Sequence, residues 1–207
     1  MSMEIFHNVT DGDLKNEDVV IRILSGGSAE QIEKLRLFHN LTKEQIELFQ
    51  YYAKLRKSVH EKMREEIRER IKKNPIATEE ELNMGAYIEF IEPQVKDAVI
   101  NLRRKGYNTF LSGFDGYHSQ KISFDEEPLK DYCLPQQLIN ETKVDGVDVV
   151  IKPNYVKLVI NEMMGIDEIK KIWDKIENNL PVINKNGAEP SRGSISFKQK
   201  QKKLQSQ

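Results

Sequence analysis

A chain of 207 residues and 24.1 kDa is long enough to bury a core without disulfides or metals. Charged residues make up 31% and hydrophobic residues 38%, with a net charge of −1, which leans polar for a compact fold and argues against a uniformly basic nucleic-acid binder. The single cysteine, Cys133, excludes an internal disulfide and suits a reducing, cytoplasmic setting, and no basic-then-apolar leader or long apolar run points to secretion or a membrane span.

The segment up to Asp18 is polar and holds a turn-like Thr10-Asp11-Gly12-Asp13 cluster. The β-branched run over 18–24 reads as strand or helix. Helix is favoured, because Ser25-Gly26-Gly27 supplies a stop and no neighbouring segment offers a strand partner. Ser28 with Gln31 has capping-box spacing and predicts a short helix to about Phe38. Thr42 with Gln45 repeats the signature and opens a long helix over about 42–73, closed by Asn74-Pro75. Its apolar stripe runs through Leu48, Tyr52, Leu55, Val59, Met63, Ile67 and Ile71. A rod of roughly 45 Å exceeds what a domain of this size must span, so part of it is expected to project or meet a partner.

Thr78 and Glu81 cap a further short helix. Pro93 then opens a helix with Val95, Ala98, Val99 and Leu102 on one face. Two β-runs over 109–124, joined at Asp115-Gly116, predict a hairpin, since Asp-Gly adopts the positive φ angles of a two-residue turn. In that register Phe114 faces Tyr117, and Leu111, Gly113, His118, Gln120 and Ile122 share one side. The stretch 128–143 reads as helix, bent or split by Pro135. Val147–Ile151 and Tyr155–Ile160 form a second hairpin, and a last helix from Ile166 to Asn179 carries Trp173 as the anchor of its apolar face.

The class implied is α+β: a helical N-terminal region (1–76) with one long helix, then a two-layer domain (77–183) in the order α-ββ-α-ββ-α with a mainly antiparallel four-strand sheet, then a flexible basic tail (184–207). The tail is expected to stay unordered, because it has too little apolar surface to offset its ordering entropy.

Three places concentrate chemistry. Ser112 to Gln120 crowds a base, a carboxylate, hydroxyls and glycines. It reads first as a structural hairpin, with His118 as a base and Asp115 and Ser112 beside it as the catalytic alternative, and with Ser119, Gln120 and Lys121 as ligand contacts. Ser25-Gly26-Gly27-Ser28 precedes a helix whose free amides would suit a phosphate. It lacks any phosphate-loop or dinucleotide pattern, so a helix stop and cap explains it. The third is positive charge. From 54 to 73 nine Lys/Arg stand against four Glu, and from 185 to 207 six Lys/Arg against one Glu, so each carries +5 and the rest of the chain carries −11. Lys54, Arg56, Lys57, Arg64 and Arg68 on the helix, with Lys198, Lys200, Lys202 and Lys203 in the tail, are the residues that would meet nucleic-acid phosphates. A solvated helix face is the plainer explanation. No metal site or cofactor motif is present.

With no catalytic motif in view, the reading is a soluble, non-enzymatic binding or interaction protein using the long helix and basic tail, with a protein partner or a second copy of itself. The alternatives are a small enzyme or ligand-binding domain at the 109–124 hairpin, and a nucleic-acid-associated protein.

Overall fold

The structure, a computed structural model, describes residues 9–73, 75–84 and 88–183. Among these residues there are seven α-helices and one four-stranded antiparallel sheet, so the chain is α+β. The predicted tail at 184–207 lies outside the described residues.

The N-terminal part is built from α1 (Glu17–Gly26), α2 (Ala29–Phe38) and the long α3 (Lys43–Lys73). The ambiguous run over 18–24 is helical. The Asn16 side chain accepts from the amides of Asp18 and Val19 at its start, Gly27 ends it, and Val20, Ile23 and Leu24 are buried along one face. Ser28 and Gln31 form the expected reciprocal cap at 3.2 and 2.9 Å, and Thr42 with Gln45 does the same at 3.2 and 2.9 Å. A hydrophobic cluster joins Val20, Ile23, Leu24 and Leu35 to Ile46, Phe49 and Ala53 of α3.

After the short α4 (Glu79–Met84), helices α5 (Lys96–Arg104) and α7 (Ile166–Asn179) cover the inner face of the sheet. Strands β1 (Thr109–Asp115) and β2 (Ser119–Phe124) form the first hairpin, β3 (Val147–Lys152) and β4 (Tyr155–Ile160) the second. The hairpins join through β2 and β4, giving the order β1-β2-β4-β3. Alternation decides the inner face. Gln120, Ile122 and Phe124 of β2 and Val156, Leu158 and Ile160 of β4 are buried, and the apolar members of both sets pack with Val95, Val99, Leu102, Ile169, Ile172 and Trp173. Trp173 is the anchor the periodicity implied, at 1% exposure.

Three expectations need correction. The first hairpin does not turn on two residues: Asp115 pairs with Ser119 and Phe114 with Gln120, leaving Gly116, Tyr117 and His118 as the loop. Only Gly116 in that loop has positive φ, at 70°, so the backbone takes a wider turn than one needing two left-handed residues. The parity of β1 flips as a result. Ser112 and Phe114, not Leu111 and Gly113, lie beside Ile122 and Gln120, and a bulge at Phe110 returns Thr109 to that side. Second, the expected break at Pro135 is there, but only its C-terminal side is an α-helix: α6 covers Gln136–Val144 with Pro135 at its N-terminal boundary, where a missing amide hydrogen costs nothing, and 128–134 forms no helix. Third, α3 buries more than one stripe. Phe49 and Ala53 face α1 and α2 while Tyr52 enters the sheet cluster, and the stripe fades until Ile71 is 68% exposed. The end of α3 does not stand free, because Arg70 reaches Glu81 of α4 and Glu89, at 2.8 and 2.7 Å.

Candidate functional site

Where α1 crosses the middle of α3, the two helices leave a cleft of about 380 Å³, lined by Val19, Ile23 and Ala53 on its apolar side and by Arg22, Arg56, Lys57, His60 and Arg64 on its basic side. The volume lies at the lower end of the range for small-molecule sites, and the mixed lining is also typical of them. Periodicity builds the basic side: positions 56, 60 and 64 are four apart and therefore stack along one line of a helix, about 6 Å per step. Arg22, Arg56, Lys57 and Arg64 stand against Glu61 alone, which gives the walls a formal charge of +3 before His60 is counted.

Gly26 and Gly27 form one rim. Their amides are not a phosphate cradle. Gly27 N–H donates to Ile23 O, Ser28 N–H to Gln31 Oε1, and Gln31 N–H to Ser28 Oγ. Helix stop and helix cap account for Ser25 to Ser28, and the contribution of the two glycines to the cleft is to keep its rim free of side chains.

Arg56 supplies the feature that singles the cleft out. Its Nη1 is buried and has no hydrogen-bond partner. A guanidinium nitrogen withdrawn from water without an acceptor costs free energy, and the side chain that carries it lines the cleft.

Behind the basic side lies a network that no motif announced. His60 Nε2 donates to Glu92 Oε1 at 2.8 Å. Glu92 Oε2 accepts from the Phe114 amide at 2.9 Å and from Gln94 Nε2 at 2.5 Å, and Gln94 Nε2 also reaches Gln120 Oε1 at 2.9 Å. The remaining amide atoms, Gln94 Oε1 and Gln120 Nε2, are buried and unpaired. Gly113 makes the approach to Glu92 feasible: a Cβ there would lie 2.4 Å from the Glu92 carboxylate. The sheet thus holds Glu92, and Glu92 holds His60 at the cleft wall.

The residues expected at the hairpin do not converge. His118 stacks on Phe49 and its Nδ1 donates to Ile160 O at 2.9 Å. Burial is the main cause that holds its pKa below the usual histidine value. Asp115 meets Lys157 at 2.8 Å and Lys121 at 3.5 Å on the opposite side of the sheet from Gln120. Ser112 pairs with Ile122. Ser119 Oγ donates to Asp115 O, Gln120 has 0% exposure, and Lys121 also lies over the Tyr155 ring. Of the basic residues, Arg56, Lys57 and Arg64 line the cleft while Lys54 and Arg68 are exposed on α3. Lys198, Lys200, Lys202 and Lys203 lie outside the described residues. Among the described residues no group of His, Cys, Asp and Glu is arranged to hold a metal ion, and no helix is long and apolar enough to cross a membrane.

Comparison of the chain with protein-family models, with curated proteins and with solved structures returned no match.

Proposed function

We propose that this is a non-enzymatic binding protein whose recognition element is the basic cleft between α1 and α3, and whose ligand presents an anionic group to Arg56. The long helix keeps the binding role expected of it, but as the floor of a site rather than as a bare charged rod. The observation that carries the reading is the unpaired, buried Nη1 of Arg56 among further cations: repulsion between like charges and an unmet donor are both relieved by one anion. The apolar side formed by Val19, Ile23 and Ala53 gives that anion a body to pack.

The test is thermal melting of the full chain in the presence of phosphate or sulfate, each against chloride at matched ionic strength. A ligand that binds only the folded state raises the melting temperature with its concentration. The rise is expected for the wild type and is expected to disappear in Arg56→Gln. Equal rises in wild type and Arg56→Gln, or no rise in either, would defeat the reading.

A further inference from the structure

We infer that the ligand of the cleft is a small phosphate monoester carrying an apolar group, in preference to a sulfate or a carboxylate; this rests on the cleft being an anion site. The discriminating group is His60. Three donors converge on Glu92, namely His60 Nε2, Gln94 Nε2 and the Phe114 amide. A carboxylate surrounded in this way only accepts, so the hydrogen of a neutral His60 ring sits on Nε2 and is committed to Glu92. The other nitrogen, Nδ1, has no hydrogen-bond partner among the described residues, and the ring lines the cleft. With the Nε2 hydrogen directed at Glu92, Nδ1 is the nitrogen of a neutral ring that accepts.

An anion site that contains one acceptor nitrogen favours an anion that still carries a hydrogen. Phosphate monoesters lose their second proton near pH 6, so at neutral pH one proton is readily shared between a phosphate oxygen and Nδ1. The proton sits either on the ester, donated to Nδ1, or on Nδ1, donated to the ester. Both arrangements make the same hydrogen bond, and both leave the remaining phosphate oxygens for Arg56, Lys57, Arg64 and Arg22. Sulfate esters and carboxylates have shed their protons at this pH and meet the Nδ1 lone pair directly.

The rest of the lining completes the class. The walls carry +3 from Arg22, Arg56, Lys57 and Arg64 against Glu61, a surplus that one monocarboxylate leaves mostly uncompensated. Ala53 lies one turn below Arg56 and Lys57 on α3, opposite Val19 and Ile23 of α1, so a phosphate on the cations places its ester substituent against apolar surface. A volume of about 380 Å³ restricts the substituent to the size of a single ring or short chain.

Titration calorimetry of the full chain at about pH 7 with phenyl phosphate, phenyl sulfate and inorganic phosphate tests the inference. Phenyl phosphate is expected to bind about tenfold more tightly than phenyl sulfate, the worth of one charge-assisted hydrogen bond, and more tightly than inorganic phosphate. In His60→Phe the preference for phenyl phosphate is expected to fall by about that factor, leaving only the part that its extra negative charge gains from the cations, and phenyl sulfate is expected to lose less affinity than phenyl phosphate does. Equal affinities for phenyl phosphate and phenyl sulfate in the wild type overturn the monoester assignment, a result that needs no variant to fold. Inorganic phosphate binding as tightly as phenyl phosphate overturns the apolar group. In either case the anion site itself survives provided Arg56→Gln weakens all three ligands. No binding of any of them sinks the inference and the site together.

Discussion

Phe49 and His118 lie face to face, with ring centroids 4.8 Å apart and planes 6° from parallel. The same imidazole donates from Nδ1 to Ile160 O, while the Ile160 amide donates back to His118 O. One loop residue thereby fastens the first hairpin to α3 on one side and to the end of β4 on the other.

Burial holds the His118 pKa below its ordinary 6.5. The unfolded chain therefore takes up this proton before the folded one does, and stability rises with pH in that interval. The contribution is complete above the ordinary histidine value and is lost as pH falls below it, levelling off beneath the folded pKa. Melting temperatures recorded from pH 8 down to pH 5 are expected to decline in the wild type. In His118→Phe, which keeps a ring against Phe49, the decline should be shallower, at the cost of the Ile160 bond, about 1 kcal/mol.

Gly113 has φ 114° and no room for a Cβ, which would sit 2.4 Å from the Glu92 carboxylate. Gly113→Ala is expected to lose at least about 2 kcal/mol by denaturant titration, from backbone strain and overpacking together. Gly116→Ala, with φ 70° but nothing closer than 3.5 Å, should lose only about 1 kcal/mol. Equal losses would mean that the approach of Glu92 is not what demands glycine at 113.

Glu81 is 1% exposed. Burial alone would raise its pKa, but the amides of Thr78 and Ile88 and the Arg70 guanidinium outweigh it and hold the value below 4.5. Its stabilising effect is present above the unfolded pKa and is lost as pH falls through the folded one. Arg70→Met leaves this carboxylate buried without its cation and is expected to cost about 3 kcal/mol in urea unfolding. Combining it with Glu81→Gln should recover part of that loss.

Tyr52 on α3 donates to Glu162 O at 2.7 Å and accepts from the Met164 amide at 3.1 Å. Tyr52→Phe strands that buried amide and is expected to lose about 1 to 2 kcal/mol. Urea unfolding of Tyr52→Phe reads that loss, and a phenylalanine that cost nothing would show the two bonds to be replaceable by water.

The helices were legible because their signals are local. Reciprocal caps at Ser28 and Gln31, Thr42 and Gln45, and Thr78 and Glu81 mark starts by short spacing alone, and Gly26-Gly27 marks a stop. The hairpins were legible as pairs, but the register of the first was not. Asp-Gly favours a two-residue turn by its own chemistry, whereas here β4 pairing on β2 and the Phe49 stack on His118 settle a three-residue loop. No local rule contains those partners. The cleft was hidden for the same reason: Arg22, Arg56 and Glu92 are distant in sequence, and Glu92 sits in no recognisable pattern. Its one legible trace was the repeat of Arg56, His60 and Arg64 at helical spacing, submerged in a run of charges that also suits a solvated face.

Leu48 of α3 touches both hydrophobic clusters, and within the next turn Phe49 and Ala53 belong to one cluster and Tyr52 to the other. Neither cluster can come apart without stripping partners from the helix that supports its neighbour. Heat should therefore dismantle both in a single endotherm whose calorimetric and van't Hoff enthalpies agree, and a change confined to α1 or α2 should lower the whole transition instead of splitting off an early shoulder.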